Sequence, residues 1–264
     1  MNPGELRRRL AGSRFVRTLV WHDEIGSTND EARRLAARGA PQGTVVVAGA
    51  QTAGRGRLGR RWHSPPGMGV YVSVLLLPVA PLAQVTRWTL GGAVALCEAC
   101  RHQGARRTVI EWPNDLTADG RKLAGILAEM RSAAGRTELV LGAGVNVNQR
   151  GGDFPDGLET TATSLDVVAG AGIVDAEGLV VDFLERLGRI SELLDRGEWA
   201  AVARDWERLS PAARARRVRV TPGNGAAYTG VTAGLGAHGE LRVDCAAGGL
   251  REVRLADSVS YLEG

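Results

Sequence analysis

Lysine is almost missing from this chain. It carries 33 basic side chains, and all but Lys122 are arginine. The simplest account is a bias that replaced lysine with arginine wherever either would serve, which makes Lys122 the one position where arginine does not. Cysteine is scarce too: Cys97, Cys100 and Cys245 are too few and too scattered to form a disulfide framework. Long apolar runs are absent. The N-terminus MNPGELRRRLAGSRF has no hydrophobic core, and the best run, VYVSVLLLPVAPLA, is broken by prolines well short of a membrane span. A secretory or membrane protein is therefore not expected, and a cytoplasmic one is. The formal net charge of +4 is a modest excess that says little about partners. No internal repeat or low-complexity tract occurs.

With 264 residues and 44% hydrophobic content, the chain can bury the core of one large domain or two. SerThrAsn at 27–29 precedes DEARRLAARG, so Ser27 or Thr28 is expected to cap a short helix that stops at Gly39. TVVVAGA (44–50) and VYVSVLLL (70–77) read as buried strands, with a long loop at 51–67 between them. Apolar residues recur at helical spacing from Pro81 to His102. Asp119-Gly120 marks a hairpin between RTVIEW and KLAGILAEM, and TELVLGAGVNVN (137–148) is a further strand. Two amphipathic helices occupy 175–209, the first with Leu179, Phe183, Leu187, Ile190 and Leu194 along its apolar stripe. After SPAARARR the pattern changes to short strands, with turns at PGNG, GAHG and AAGG. These last 50 or so residues predict a small barrel that leans on the larger domain, because so short a piece has a meagre core.

The loop QTAGRGRLGRRWHSPPG carries the strongest chemical signal. Arg55, Arg57, Arg60 and Arg61 alternate there with Gly54, Gly56 and Gly59. Glycine lets backbone approach a ligand, and arginine offers bidentate bonds to carboxylate or phosphate. Such a loop is expected to close over an anion, and to be disordered until one arrives, because like charges crowded without anion partners repel. GRGRLG also fits the dinucleotide pattern G-x-G-x-x-G, but the prolines at 65 and 66 forbid the long helix that a nucleotide-binding turn opens. No Gly-Lys-Ser/Thr follows, so it is not a P-loop. A plain solvated basic loop is the bland alternative.

The predicted hairpin supplies a second cluster. A two-residue turn at Asp119-Gly120 sets Thr117 opposite Lys122 and puts Asp115 on the same face, a diagonal neighbour at roughly 7–8 Å between backbones. An exposed cross-strand ion pair would explain this, except that Leu123-Ala124-Gly125-Ile126-Leu127 reads as buried strand. A lysine at the mouth of a buried strand needs an anion nearby.

Taken in order, STN, QTAGRGRLGRRW, EWPNDL, RKLAGIL, LGAGVNVN and the β-rich tail resemble the biotin protein ligases over nearly the whole chain. The resemblance implies an α+β fold: a mixed β-sheet flanked by helices, related to class II aminoacyl-tRNA synthetases, with a small C-terminal SH3-like β-barrel. It implies a catalytic domain at 1–212 and an SH3-like domain at 213–264. Only about 20 residues precede the catalytic part, so a ligase-only form without a DNA-binding module is expected. The implied reaction joins biotin to ATP as biotinyl-5′-AMP, with Mg²⁺ carried by the phosphates and no protein metal ligands, and then transfers biotin to a lysine of a biotin carboxyl carrier protein. Neither nucleic acid nor membrane is an expected partner, and monomer or homodimer stays open.

By the same resemblance, Ser27, Thr28, Asn29 and Gln51 bind biotin, the first two and Gln51 at its ureido end. Gly54, Arg55, Gly56 and Arg57 fold over the acid end and the adenylate. Gly125 and Gly142 leave room for the bicyclic ring. Arg55, Arg57, Arg60, Trp62, Asn114, Lys122 and Asn146 serve ATP. Lys122, Arg57 and Asp115 carry the chemistry, with Lys122 on the carboxylate and α-phosphate and Asp115 orienting the incoming amine or a metal-bound water. One position departs from the pattern: Glu111 stands where lysine usually precedes WPND, and is expected to face away or to pair with a loop arginine.

Other features are set aside. Cys97-Glu98-Ala99-Cys100 sits inside a helix, not at the N-terminus where a thiolate is stabilised. The four histidines have no ligand spacing, and Trp199 and Trp206, seven apart, pack a helix face. Two other functions remain in view: a lipoate-type ligase of the same fold, and a nucleic-acid-binding module that uses the arginine loop.

Overall fold

The computed structural model describes residues 1–262 except 79–83, 134, 171–173, 224, 247 and 256. Helix α1 (Pro3–Leu10) opens the chain, its first turn capped by the Asn2 side chain, which accepts from the Gly4 and Glu5 amides. It was not apparent in the sequence, because only Leu6 and Leu10 turn inward. Strand β1 (Thr18–His22) follows, then α2 (Thr28–Ala37), β2 (Thr44–Ala48), β3 (Gly69–Leu76) and α3 (Val85–His102). The start expected for α3 at Pro81 lies outside the described residues. Strands β4 (Val109–Glu111), β5 (Asp115–Ala118), β6 (Arg121–Ala133) and β7 (Arg136–Asn146) complete a seven-stranded sheet of order β1-β2-β3-β7-β6-β5-β4. Among the described residues only β1 and β2 pair in parallel within this sheet, so it is mixed, as expected.

Every residue of β2 is buried, because both faces of the sheet are covered; this is why it reads as a continuous apolar run. On one face, α3 packs with α5 (Ala176–Asp195) and α6 (Trp199–Leu209) in the main core, after the short helix α4 (Leu165–Ala169). On the other, α2 covers a small cluster of Ala32, Ala36, Val46, Leu75 and Val140. The stripe predicted on α5 is buried, and so are Trp199 and Trp206 of α6. This arrangement leaves the N-terminal turn of α2 against the centre of the sheet, where the site forms.

Strands β8 (Arg214–Thr221), β9 (Tyr228–Leu235), β10 (Leu241–Cys245), β11 (Gly249–Val253) and β12 (Ser258–Tyr261) form a separate antiparallel sheet, in keeping with an SH3-like module. Residues 224 and 247 of the expected turns lie outside the described residues. The small sheet does lean on the large domain. Val218, Val220, Leu241 and Val243 share the main core. The indoles of Trp112 and Trp199 donate to the carbonyls of Gly239 and Gly236, at 3.0 and 3.4 Å.

Cys97 and Cys100 are buried in α3. Burial pushes the Cys97 thiol up to about 12 and raises Cys100 as well, so neither carries a thiolate near neutrality. A thiol reagent such as iodoacetamide is expected to leave both unlabelled in the native protein and to label them after denaturation. Fast native labelling at Cys97 would restore the redox reading.

Candidate active site

The β5–β6 hairpin builds the centre of the site. Asp119 and Gly120 both take positive φ, 52° and 73°, as a tight primed turn requires, and Thr117 pairs with Lys122 as predicted. The register then slips: Leu116 pairs with Ala124, so Leu123 is the extra residue of a bulge and Asp115 comes to face Gly125. The slip keeps Lys122, Gly125 and Asp115 on one face. The Lys122 ammonium lies 2.7 Å from Asp115 Oδ2 and 5.7 Å from the centre of the Trp62 ring.

The backbone of Lys122 is held from outside the hairpin. Its N–H donates to Thr161 O at 2.7 Å, its carbonyl accepts from Thr163 N at 2.8 Å, and the Asn146 amide donates to Thr163 O at 3.0 Å. Asn146 thus anchors the strand that carries the lysine. Asn114 is occupied in the same way, donating to Ile126 O at 3.0 Å and accepting from Arg57 at 3.1 Å. Both amides were expected to serve ATP; in the structure their bonds go to protein.

Around this centre lies a cavity of about 500 Å³. One end is polar. The Gln51 side-chain Oε1 accepts from Thr28 N and Thr28 Oγ1 at 2.8 and 3.1 Å, and its Nε2 donates to Ser64 Oγ at 3.1 Å. Ser27 occupies the N-cap position of α2, but neither it nor Thr28 caps with its side chain; Ser27 instead lines the cavity, and the Thr28 hydroxyl bonds Gln51 and Ser73. Asn29 is buried, bonded to Glu129 at 2.7 Å and to the Ser73 hydroxyl at 2.6 Å.

The arginine loop forms the other wall, and it is a small hairpin, not an irregular segment. Trp62 N donates to Gly54 O and Gly56 N to Arg60 O, at 2.9 and 2.7 Å, and the turn at Leu58-Gly59 has positive φ. Its charges are not all without partners, contrary to the expectation of mutual repulsion. Arg55 bonds Asp30 at 2.5 and 2.8 Å and lies 3.5 Å from Glu129. Arg57 is part-buried, which lowers its pKa, and it reaches both Asn114 and the carbonyl of Leu255. Arg60 and Arg61 also line the cavity.

The glycines divide by what they make room for. A Cβ at Gly142 would lie 2.2 Å from Asn29 Oδ1, and one at Gly54 2.7 Å from Ser64 Oγ and Trp62 O. Both positions accommodate the protein's own groups, and Gly142 lines the cavity as well. Gly125 differs: its nearest neighbours would be at 3.6 Å, and it opens onto the cavity. Gly144 was missed. Its missing side chain admits the Trp62 indole, which would otherwise be 2.6 Å from a Cβ.

Two other wall segments were missed. Phe154, Leu158, Thr161 and Ala162 close one side, and Asp257 to Ser260 of the C-terminal sheet close another. Neither carries a motif, although the break after GAGVNVN could have flagged a covering loop. Glu111 is not part of the cavity lining, and among the described residues it pairs with no loop arginine. It stays partly buried and accepts from the Thr117 hydroxyl at 3.1 Å. Burial first, and then the Asp115 charge, raise its pKa.

The cavity therefore joins a neutral hydrogen-bonding end to a cationic end through a single ammonium. That suits a small molecule with a polar head and an acid tail, beside a phosphate. A sequence profile described as the biotin/lipoate A/B protein ligase family matches residues 22–146, the span from the last residue of β1 to the end of β7. The chain is 42% identical over 185 residues to the bifunctional ligase/repressor BirA of Bacillus subtilis, covering 70% of this chain and 57% of that protein. It spans only about half the length of the several BirA relatives it matches. It is 35% identical over 195 residues to the biotin--[acetyl-CoA-carboxylase] ligase of Paracoccus denitrificans, covering 71% of this chain and 78% of that one. Among solved structures, the biotin protein ligase of Aquifex aeolicus in complex with biotin and ATP superposes with a TM-score of 0.78 at 27% identity, over 93% of this chain and all of the other. The architecture, the ordered motifs and these likenesses agree: the chain belongs to the biotin/lipoate A/B protein ligase family.

Proposed function

We propose that this chain is a biotin--[biotin carboxyl carrier protein] ligase working in the cytoplasm, with its catalytic domain at 1–212 and its SH3-like domain at 213–264. The observation that carries the reading is the Lys122 ammonium, paired with Asp115 and fixed between the polar end of the cavity and the arginine loop. The names of the relatives, and the biotin and ATP bound to the Aquifex enzyme, support biotin over other acids.

In the first step a biotin carboxylate oxygen bonds the α-phosphorus of ATP, and pyrophosphate leaves with the electrons of the broken bridge. Two anions must meet. Lys122 can contact the carboxylate and an α-phosphate oxygen at once, while Arg55, Arg57 and Arg60 offset the charge that moves to the leaving group. Mg²⁺ enters with ATP on the phosphate oxygens. Ser27, Thr28 and Gln51 hold the ureido head, with Asn29 fixing the helix turn that presents them. Trp62 offers a flat face to the adenine, and Asn114 and Asn146 act by holding Arg57 and the Lys122 strand. In the second step the neutral amine of a carrier lysine attacks the acyl carbon, and AMP departs with the C–O electrons. Asp115, already aimed at the ammonium position, orients that amine.

Incubating the protein with MgATP and either biotin or lipoate, and reading the products by mass spectrometry, tests this. Biotinyl-5′-AMP is expected, and little lipoyl-AMP. A preference for lipoate would make it the lipoate-type enzyme. Adenylate from neither acid, together with salt-sensitive binding to single-stranded or duplex DNA, would favour the nucleic-acid reading.

A further inference from the structure

Resting on the ligase reading, we propose that Asp30 is a positioning residue of the reaction, gripping Arg55 so that the near end of the arginine loop stays closed over the adenylate. Asp30 sits on α2 one residue beyond the Ser27, Thr28 and Asn29 turn that lines the cavity. Its two carboxylate oxygens take both terminal nitrogens of Arg55, at 2.5 and 2.8 Å, the fork-to-fork geometry that makes such pairs directional. Glu129 on β6 stands behind, 3.5 Å from the same guanidinium, and Arg33 touches both acids, so two carboxylates and two guanidiniums alternate.

Position distinguishes this cluster from an ordinary surface network. Backbone bonds from Thr52 and Ala53 to the carbonyls of Ile25 and Gly26 tie the base of the loop, and beyond that base two arginine side chains fasten the hairpin at two points. Arg57 holds one to Asn114 and Leu255, and Arg55 holds the other to α2. Arg55 also stands opposite Arg61 across the hairpin, so holding it holds both strands. The guanidinium beside Asp30 keeps that carboxyl low, at about 2, so the grip is charged throughout the neutral range. Without it the hairpin beyond Ala53 retains only the Arg57 fastening, and a bound adenylate can leave before a carrier arrives. Neither oxygen of Asp30 needs to touch substrate for this.

The test is made on the full chain. Enzyme preloaded with biotin and MgATP is desalted, and bound adenylate is followed over time in the unaltered protein and in Asp30→Asn, Asp30→Glu, Arg55→Gln and the Asp30→Asn/Arg55→Gln pair. Asp30→Asn is expected to lose adenylate roughly three- to tenfold faster, while its first-turnover pyrophosphate burst stays within about twofold. Asp30→Glu should retain adenylate nearly as well as the original, and the double variant should leak no faster than Arg55→Gln alone. Trypsin should cut at Arg55 and Arg57 sooner in Asp30→Asn, with an unchanged melting temperature. Equal retention, or slower loss in Asp30→Asn, overturns the grip and leaves the ligase reading intact. Absence of biotinyl-adenylate in the unaltered protein overturns both.

Discussion

Replacing Lys122 with alanine is expected to lower adenylate formation by about two to three orders of magnitude while the protein still folds. The side chain is part-exposed at the cavity, so its removal opens no core, and the backbone bonds to Thr161 and Thr163 survive the substitution. What disappears is the one group able to touch both reacting anions. The sharper variant is Lys122→Arg, which keeps the charge and is still expected to lose most of the activity. An ammonium is compact and has three rotating donors; Asp115 takes one, which leaves two for other oxygens in the cavity that Lys122 lines. A guanidinium is longer and planar, and with Asp115 and the Trp62 ring both close by it has no way to bridge two oxygens in the same space. Pyrophosphate release in a single turnover, with circular dichroism to verify folding, decides the matter. A near-normal rate in Lys122→Arg would show that the solitary lysine is an accident of composition.

The solitary lysine was legible because everything around it was arginine, and its partner was legible because Asp-Gly fixes a hairpin register. The bulge was not. Nothing in LTADGRKLAG says that Leu123 will be passed over, yet that slip is what sets Gly125, and not Ala124, opposite Asp115. Tertiary contacts decided other roles. Asn114 and Asn146 line the cavity as their motifs suggest, but the motifs do not show that their amide nitrogens also take buried carbonyls, those of Ile126 and Thr163. The acids that neutralise Arg55 lie 25 and 74 positions away, on α2 and β6, where no local pattern connects them to the loop. Likewise β1 and α1 carry short, half-buried patterns that only the finished sheet and core make sense of.

Gly142→Ala and Gly125→Ala are expected to fail in opposite ways, although both glycines sit in extended backbone free of positive φ and their motifs look alike. At Gly142 the new methyl would meet Asn29 Oδ1 at 2.2 Å, and Asn29 cannot yield cheaply because Ser73 and Glu129 hold both ends of its amide. Overpacking plus a broken buried hydrogen bond should cost about 3 kcal/mol of stability. Biotin affinity should fall with it, because Asn29 fixes the turn that presents Ser27 and Thr28. At Gly125 the methyl has neighbours no closer than 3.6 Å, so melting should shift little. Its volume would lie in the cavity beside Lys122 and Asp115, and biotin or ATP affinity should drop roughly tenfold or more. Thermal unfolding and adenylate titration on the two variants separate the cases. A Gly125→Ala protein that melts early, or a Gly142→Ala protein as stable as the original, would show that the two glycines have been assigned the wrong way round: the first would be the packing position and the second the ligand-facing one.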